Sequence, residues 1–164
     1  MEFLSLIVSR ISNALLPKLC GGCGEVDPAA SALCSLCRKK IDPLIATDLL
    51  YGSTRAPIIA VGGYRGPLVR LVLGKSRGDR IAAYELGLLM AERLGATDYE
   101  CDVVVPVPVH WSRTLWRGYD QVYEAARAIA AQTGLPIIPA VQRTRRTPFQ
   151  SQLPIDQRGK NVRD

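Results

Sequence analysis

Four cysteines stand in the order Cys20-x2-Cys23-x10-Cys34-x2-Cys37. Two residues between paired cysteines let both thiolates of a tight turn face one ion, and two facing pairs complete a closed tetrahedron. Such an ion has no position left for water, so the spacing predicts a structural zinc site. Gly21, Gly22 and Gly24 fit the turn, which favours residues with cheap access to positive φ. Two other readings compete. Paired disulfides suit a secreted chain, but the N-terminus lacks the basic n-region and small-residue cleavage site of an export signal. A redox Cys-x2-Cys occurs singly beside a strand–helix unit, whereas two copies lie close together here. Four thiolates on Zn²⁺ carry a net −2, which Lys18, Arg38, Lys39 and Lys40 are placed to offset. Cys101, far off before an apolar run, is expected to be a buried free thiol.

A second set of residues suits anions. Pro106-Val-Pro-Val-His-Trp-Ser-Arg113 is followed by Arg117-Gly-Tyr-Asp-Gln121, where an apolar run gives way to a polar, basic turn. In open parallel sheets ligands bind beyond the C-terminal ends of strands, and free amides with two arginines make an anion cradle there. The charge balance agrees. The chain is +6 overall, and residues 143–164 alone hold six cations against two acids. A local arginine excess points to phosphate groups or nucleic acid, with a merely solvated tail as the alternative. His110, the only histidine, is read as structural or solvent-facing rather than catalytic.

These residues need elements to hold them. At 164 residues, 48% hydrophobic and 22% charged, the chain can bury a core, and with 6% aromatics that core must be mainly aliphatic. Phe3, Leu4, Ile7, Ile11 and Leu15 recur at helical spacing, so residues 1–17 read as an amphipathic helix, far shorter than a bilayer span. The knuckle follows over 18–42, and an irregular stretch through Pro57 separates it from a main domain over 58–164. There the pattern predicts a strand Ile58–Tyr64, a helix from Leu68 that Gly74 ends, and a helix from Arg80 to Leu94 stopped by Gly95. Continuous valine over Asp102–Val109 predicts a strand buried on both faces, ended by Pro106 and Pro108. A basic turn from His110 to Gln121, a helix Val122–Gln132 and a short strand Leu135–Val141 complete an α/β alternation.

The ordered motifs resemble the ComF family of phosphoribosyltransferase-like proteins. They are the cysteine pairs; Tyr64, Gly66, Leu68 and Lys75; Pro106 and Pro108; Arg113, Arg117, Gly118, Tyr119 and Gln121; and Arg143, Thr147, Gln150, Leu153, Arg158, Asn161 and Val162. The resemblance runs from the knuckle to the C-terminus. It implies a type I phosphoribosyltransferase-like parallel sheet, incomplete here, with a small N-terminal zinc ribbon. It further implies a phosphate- and pyrophosphate-binding set of Lys75, His110, Arg113, Arg117, Gly118 and Gln121. A flexible closing loop would carry Arg143, Gln150, Arg158 and Asn161, and Mg²⁺ would accompany phosphoribosyl pyrophosphate. Position 120 is Asp where the family more often has Asn, which puts a negative charge beside the anion site. The family's two acids and Thr/Gly-rich phosphate loop would follow Asp164, so this polypeptide is expected not to catalyse transfer by itself. By resemblance the role is bacterial DNA uptake in the cytoplasm or at the inner face of the membrane. Partners there are a competence helicase, DNA-processing proteins and single-stranded DNA. The alternative is a zinc-ribbon interaction module or a fragment without catalytic activity.

Overall fold

In the computed structural model, which describes residues 18–27, 32–42, 47–51 and 53–162, the chain is mostly helical. The amphipathic helix expected over 1–17 lies outside the described residues, as do Arg163 and Asp164. The order of elements is α1 (Ser35–Lys39), β1 (Thr47–Tyr51), β2 (Thr54–Ile58), α2 (Pro67–Ser76), α3 (Arg80–Gly95), α4 (Trp111–Arg117), α5 (Gln121–Thr133), a 3-10 turn (Gln150–Gln152) and α6 (Ile155–Val162).

Helix α3 is the central element. The Asp79 carboxylate caps it by accepting the Ala82 N–H at 2.9 Å, which satisfies one of the four free donors at a helix start. Leu86 and Leu89 join Leu68 and Leu71 of α2 in one core, and Cys20, Leu33, Cys37 and Ile41 of the knuckle belong to that same core. The knuckle and the helices therefore bury their apolar faces against each other. On α3's other flank Gly87 meets the backbone of α5, which Asp120 caps and Gly134 closes in the left-handed conformation at φ 76°.

An ion pair fastens the knuckle to α3. Arg38 of α1 donates to the Glu85 and Glu92 carboxylates, and Glu85 is 1% exposed. Arg38, beside Cys37 in sequence, thus ties the knuckle to α3. Removing one partner of a buried pair strands a charge away from water. Arg38→Ala is expected to cost about 3 kcal/mol, read in thermal melts as a Tm lower by roughly 6–12 °C. The double variant Arg38→Met/Glu85→Leu should recover most of that loss, because no charge is then left buried.

Several expectations are corrected. The strand assigned to Ile58–Tyr64 is absent: Ile58 closes an antiparallel hairpin, β1 with β2, that pairs Thr47 with Ile58 and Tyr51 with Thr54. The β-competent residues lie in the stretch read as irregular. Helix α2 runs through Gly74 and Lys75 to Ser76, since one interior glycine costs a helix only about 1 kcal/mol. It starts where Gly66 adopts φ 56° and Pro67 takes the first helical position, whose N–H would be unpaired anyway.

Residues 102–109 do not form a strand buried on both faces. Val104 alone makes a bridge, parallel to Ile137, donating to the Pro136 carbonyl at 2.9 Å and accepting from Ile138 at 3.0 Å. Val103, Val105 and Val107 are 38%, 42% and 75% exposed. Residues 106 and 108 share Val104's side of an extended chain, and both are proline, so they have no N–H to prolong the pairing. Among the described residues the parallel arrangement consists of this single bridge. Cys101 is exposed rather than buried.

Candidate metal centre and arginine-lined groove

The first cysteine pair sits on a hairpin. Leu19 bridges Val26, Cys20 donates to the Glu25 carbonyl at 2.8 Å, and Gly24 N–H returns to the Cys20 carbonyl at 2.8 Å. Of the three glycines only Gly24 needs positive φ, at 82°. Gly22 is required for space: a Cβ there would lie 2.8 Å from the Cys37 sulfur and 3.0 Å from Leu33. The second pair opens α1, where the Cys34 sulfur accepts the Cys37 N–H at 3.4 Å.

The four Sγ atoms all lie within 4.8 Å of one another, and those of Cys23 and Cys34 are 3.9 Å apart. Sulfurs ~2.3 Å from a tetrahedral zinc ion would be about 3.8 Å apart, so the cluster can hold a metal ion. Backbone N–H groups of Gly22 and Cys34 point at the Cys20 sulfur from 3.3 and 3.2 Å. Burial opposes ionisation of Cys20, but the N–H groups of Cys34, Cys23 and Gly22 outweigh it and bring its pKa down to about 6. Cys37 is pushed up to about 12, first by burial and then by the sulfurs of Cys34, Cys20 and Cys23. Four thiolates in this space repel one another, and a bound cation is what would let all four ionise.

The anion-binding candidates fall into two adjoining places. The loop read as a basic turn holds a helix, α4, with no buried residue. Its signals are local: the buried His110 caps it through Nδ1, which accepts the Ser112 N–H at 3.3 Å, and Gly118 ends it at φ 81°. The single histidine is therefore structural in this fold. The Asp120 carboxylate accepts the Val122 and Tyr123 N–H groups at 2.9 and 3.1 Å, so its charge serves α5.

Arg113 reaches across 34 residues to donate to the Thr147 carbonyl, while Arg143 donates to the Thr147 hydroxyl. The Arg113 guanidinium also lies 4.0 Å over the Phe149 ring, a cation–π contact. Burial first, then the charges of Arg143, Arg117 and Arg146, pull the Arg113 pKa down. Four guanidiniums thus share one region, and no carboxylate pairs with any of them among the described residues. Ser112, Arg113, Trp116, Arg146 and Phe149 line a groove of 510 Å³ there. Trp116, which the sequence reading did not single out, is 79% exposed on its wall.

Lys75 and Gln121 line a different cavity, between α3, α5 and residues 104–107. Arg117 joins the two places. Its Nε donates to the Ser76 carbonyl at 3.3 Å, and its charge, after burial, lowers the Lys75 pKa. Tyr119 locks the corner by donating its hydroxyl to the Lys75 carbonyl at 2.6 Å, and burial raises its pKa. In the C-terminal segment, Gln150 Nε2 donates to the Arg158 carbonyl at 3.2 Å. Arg158 Nε donates to the Leu153 carbonyl at 3.1 Å, and Asn161 Nδ2 to the Pro148 carbonyl at 3.2 Å. These three side chains hold the segment's own backbone rather than facing the groove.

Comparison with family models, with curated proteins and with solved structures gives no match. No helix among the described residues is long and apolar enough to cross a membrane.

Proposed function

We propose that the chain is a ComF-like, phosphoribosyltransferase-like protein. Zinc on Cys20, Cys23, Cys34 and Cys37 staples its N-terminal part, and its arginine-lined groove binds phosphate groups. All-thiolate tetrahedral donation suits zinc, and a closed site with four protein ligands suits a structural ion. The ligand is a single-stranded nucleic acid or phosphoribosyl pyrophosphate with Mg²⁺, and the role is DNA uptake beside a competence helicase on the cytoplasmic side. The type I parallel sheet belongs to this proposal, with the Val104–Ile137 bridge as the support it has. Phosphoryl or phosphoribosyl transfer by this chain is not part of it.

The observation that carries the reading is the convergence of Arg113 and Arg143 on Thr147, with Arg117 and Arg146 close enough to perturb Arg113. Guanidiniums without acid partners are donors in search of an anion, and their fork geometry matches phosphate. Fluorescence anisotropy with a labelled single-stranded oligonucleotide over a salt series tests it. Affinity should fall steeply with salt, pyrophosphate should compete, and Arg143→Ala should flatten the log–log salt slope by roughly 0.7, one phosphate contact on a single strand. Binding that is absent at low salt, or unchanged between low and physiological salt, would overturn the reading.

A further inference from the structure

Helix α4 turns its apolar side chains to water. Trp111, Leu115 and Trp116 are 68%, 76% and 79% exposed, and the helix buries none of its residues. Its caps hold it locally, and Arg113 and Arg117 tie it to the Thr147 and Ser76 carbonyls. Both tryptophans are thus open to contact, and an exposed apolar patch rimmed by charge marks an interaction surface. Neither is among the residues that carry the family resemblance.

Each tryptophan has arginine beside it. Trp116 shares the 510 Å³ groove with Arg113 and Arg146, and Trp111 shares a second groove along α4 with Arg143. The two places meet at residue 147, where Arg113 donates to the carbonyl and Arg143 to the hydroxyl. Flat surfaces are already set there. The buried His110 ring lies 5.4 Å from that of Trp111, and the Arg113 guanidinium lies over Phe149. Aromatic rings interleaved with guanidiniums suit unpaired bases, since every base has a π-face and every step of the strand carries a phosphate. Five positions on a helix set the tryptophans about 7.5 Å apart along its axis and about 0.4 of a turn apart around it. Bases of a duplex stack on one another at steps of ~3.4 Å and have no face left for either ring. A splayed single strand does.

We infer that this surface takes a single-stranded nucleic acid by its bases as well as its phosphates. Trp116 and Trp111 each stack one unpaired base, and Arg113 and Arg143 hold the phosphates between them. The inference rests on the phosphate-binding reading above and decides between its two ligands, because phosphoribosyl pyrophosphate has no base to stack.

The probes are a twelve-nucleotide oligothymidylate and an abasic strand of the same length and charge, titrated into the full chain. Fluorescence anisotropy reads affinity. Tryptophan emission reads stacking, and Trp111 and Trp116 are the only tryptophans in the sequence, so the signal comes from α4 alone. The oligothymidylate should bind at least tenfold more tightly than the abasic strand and quench the emission, which the abasic strand should leave nearly unchanged. Trp116→Ala should bring the two affinities at least fivefold closer, as the loss of one stacked base requires. Trp116→Phe should restore most of the difference. A merely structural role for Trp116 would weaken both strands alike. Equal affinity for the two strands with a steep salt dependence would overturn this inference and leave the phosphate reading standing. Binding of neither strand at low salt would overturn both. These two results come from the unsubstituted chain, so neither depends on a variant that folds.

Discussion

Chelating the ion from the four-cysteine site is expected to unfold the segment from about Lys18 to Lys40 and to loosen the helices packed on it. The free energy of such sites is folding energy, about 10–16 kcal/mol for structural zinc in small peptides. Here the loss travels further, because Cys20 and Cys37 are 2% and 3% exposed and sit in the core with Leu71 and Leu89. Without a cation, the thiol that ionises most readily stands beside one pushed to about 12, and the cluster has no reason to stay closed. Hydrogen exchange read by mass spectrometry, before and after chelation, should show lost protection over 18–40 and partial loss in α2 and α3. Metal analysis should give one zinc per chain, absent in Cys37→Ser. Cys101→Ser is the control, since Cys101 is exposed and outside the cluster, and it should leave metal content and melting unchanged. Unchanged protection over 18–40 in metal-free protein would overturn the assignment.

What could be read in the sequence follows from how local each cause is. The cysteine cluster was legible because ligand spacing is set within a few residues, and the structure brings all four sulfurs together. Helices α3 and α5 were legible within a residue or so, since their limits are set by Asp79, Asp120 and Gly134. Gly24 takes the positive φ expected of a turn glycine, whereas the constraint on Gly22 is the Cys37 sulfur arriving from 15 positions away. Helix α4 was missed because it buries nothing, so hydrophobic periodicity had nothing to report; His110 and Gly118 were its only signals. The Arg38–Glu85 pair spans 47 residues and the Arg113–Thr147 contact 34, and no local pattern announces such partners. Continuous valine over 102–109 predicts burial on both faces, but burial needs neighbours, and among the described residues this segment has one bridge. The sequence places Arg113 and Arg117 in one set and Arg143 in another, and the structure brings them into one region with Arg146. That Lys75 and Gln121 line a different cavity from Arg113 and Arg146 is a tertiary fact.

The crossing of α3 and α5 supplies the second large effect, again one that spacing alone could not reveal. Gly87 is an interior helical glycine, a position where alanine ordinarily adds about 1 kcal/mol. The neighbours reverse that sign. A Cβ on residue 87 would stand 2.2 Å from the Ala125 carbonyl oxygen, 2.7 Å from the Ala128 Cβ and 2.8 Å from the Ala125 Cα. Two of these contacts are backbone, so no rotamer change relieves them and the helices must separate. Separation thins the packing that Ala83, Ala126 and Ala128, at 0–3% exposed, make possible through their small size. Overpacking of this kind costs about 3 kcal/mol, and Gly87→Ala should lower Tm by roughly 6–12 °C. Gly95→Ala provides the opposite sign on the same helix. Nothing lies within 4 Å of its would-be Cβ, so the substitution should stabilise by about 0.5–1 kcal/mol. Urea titrations of both variants measure the contrast. If Gly87→Ala proved neutral or stabilising, α3 and α5 would not cross as closely as the structure has them. The cavity between them would then need redrawing as well, because it is walled by the same two helices.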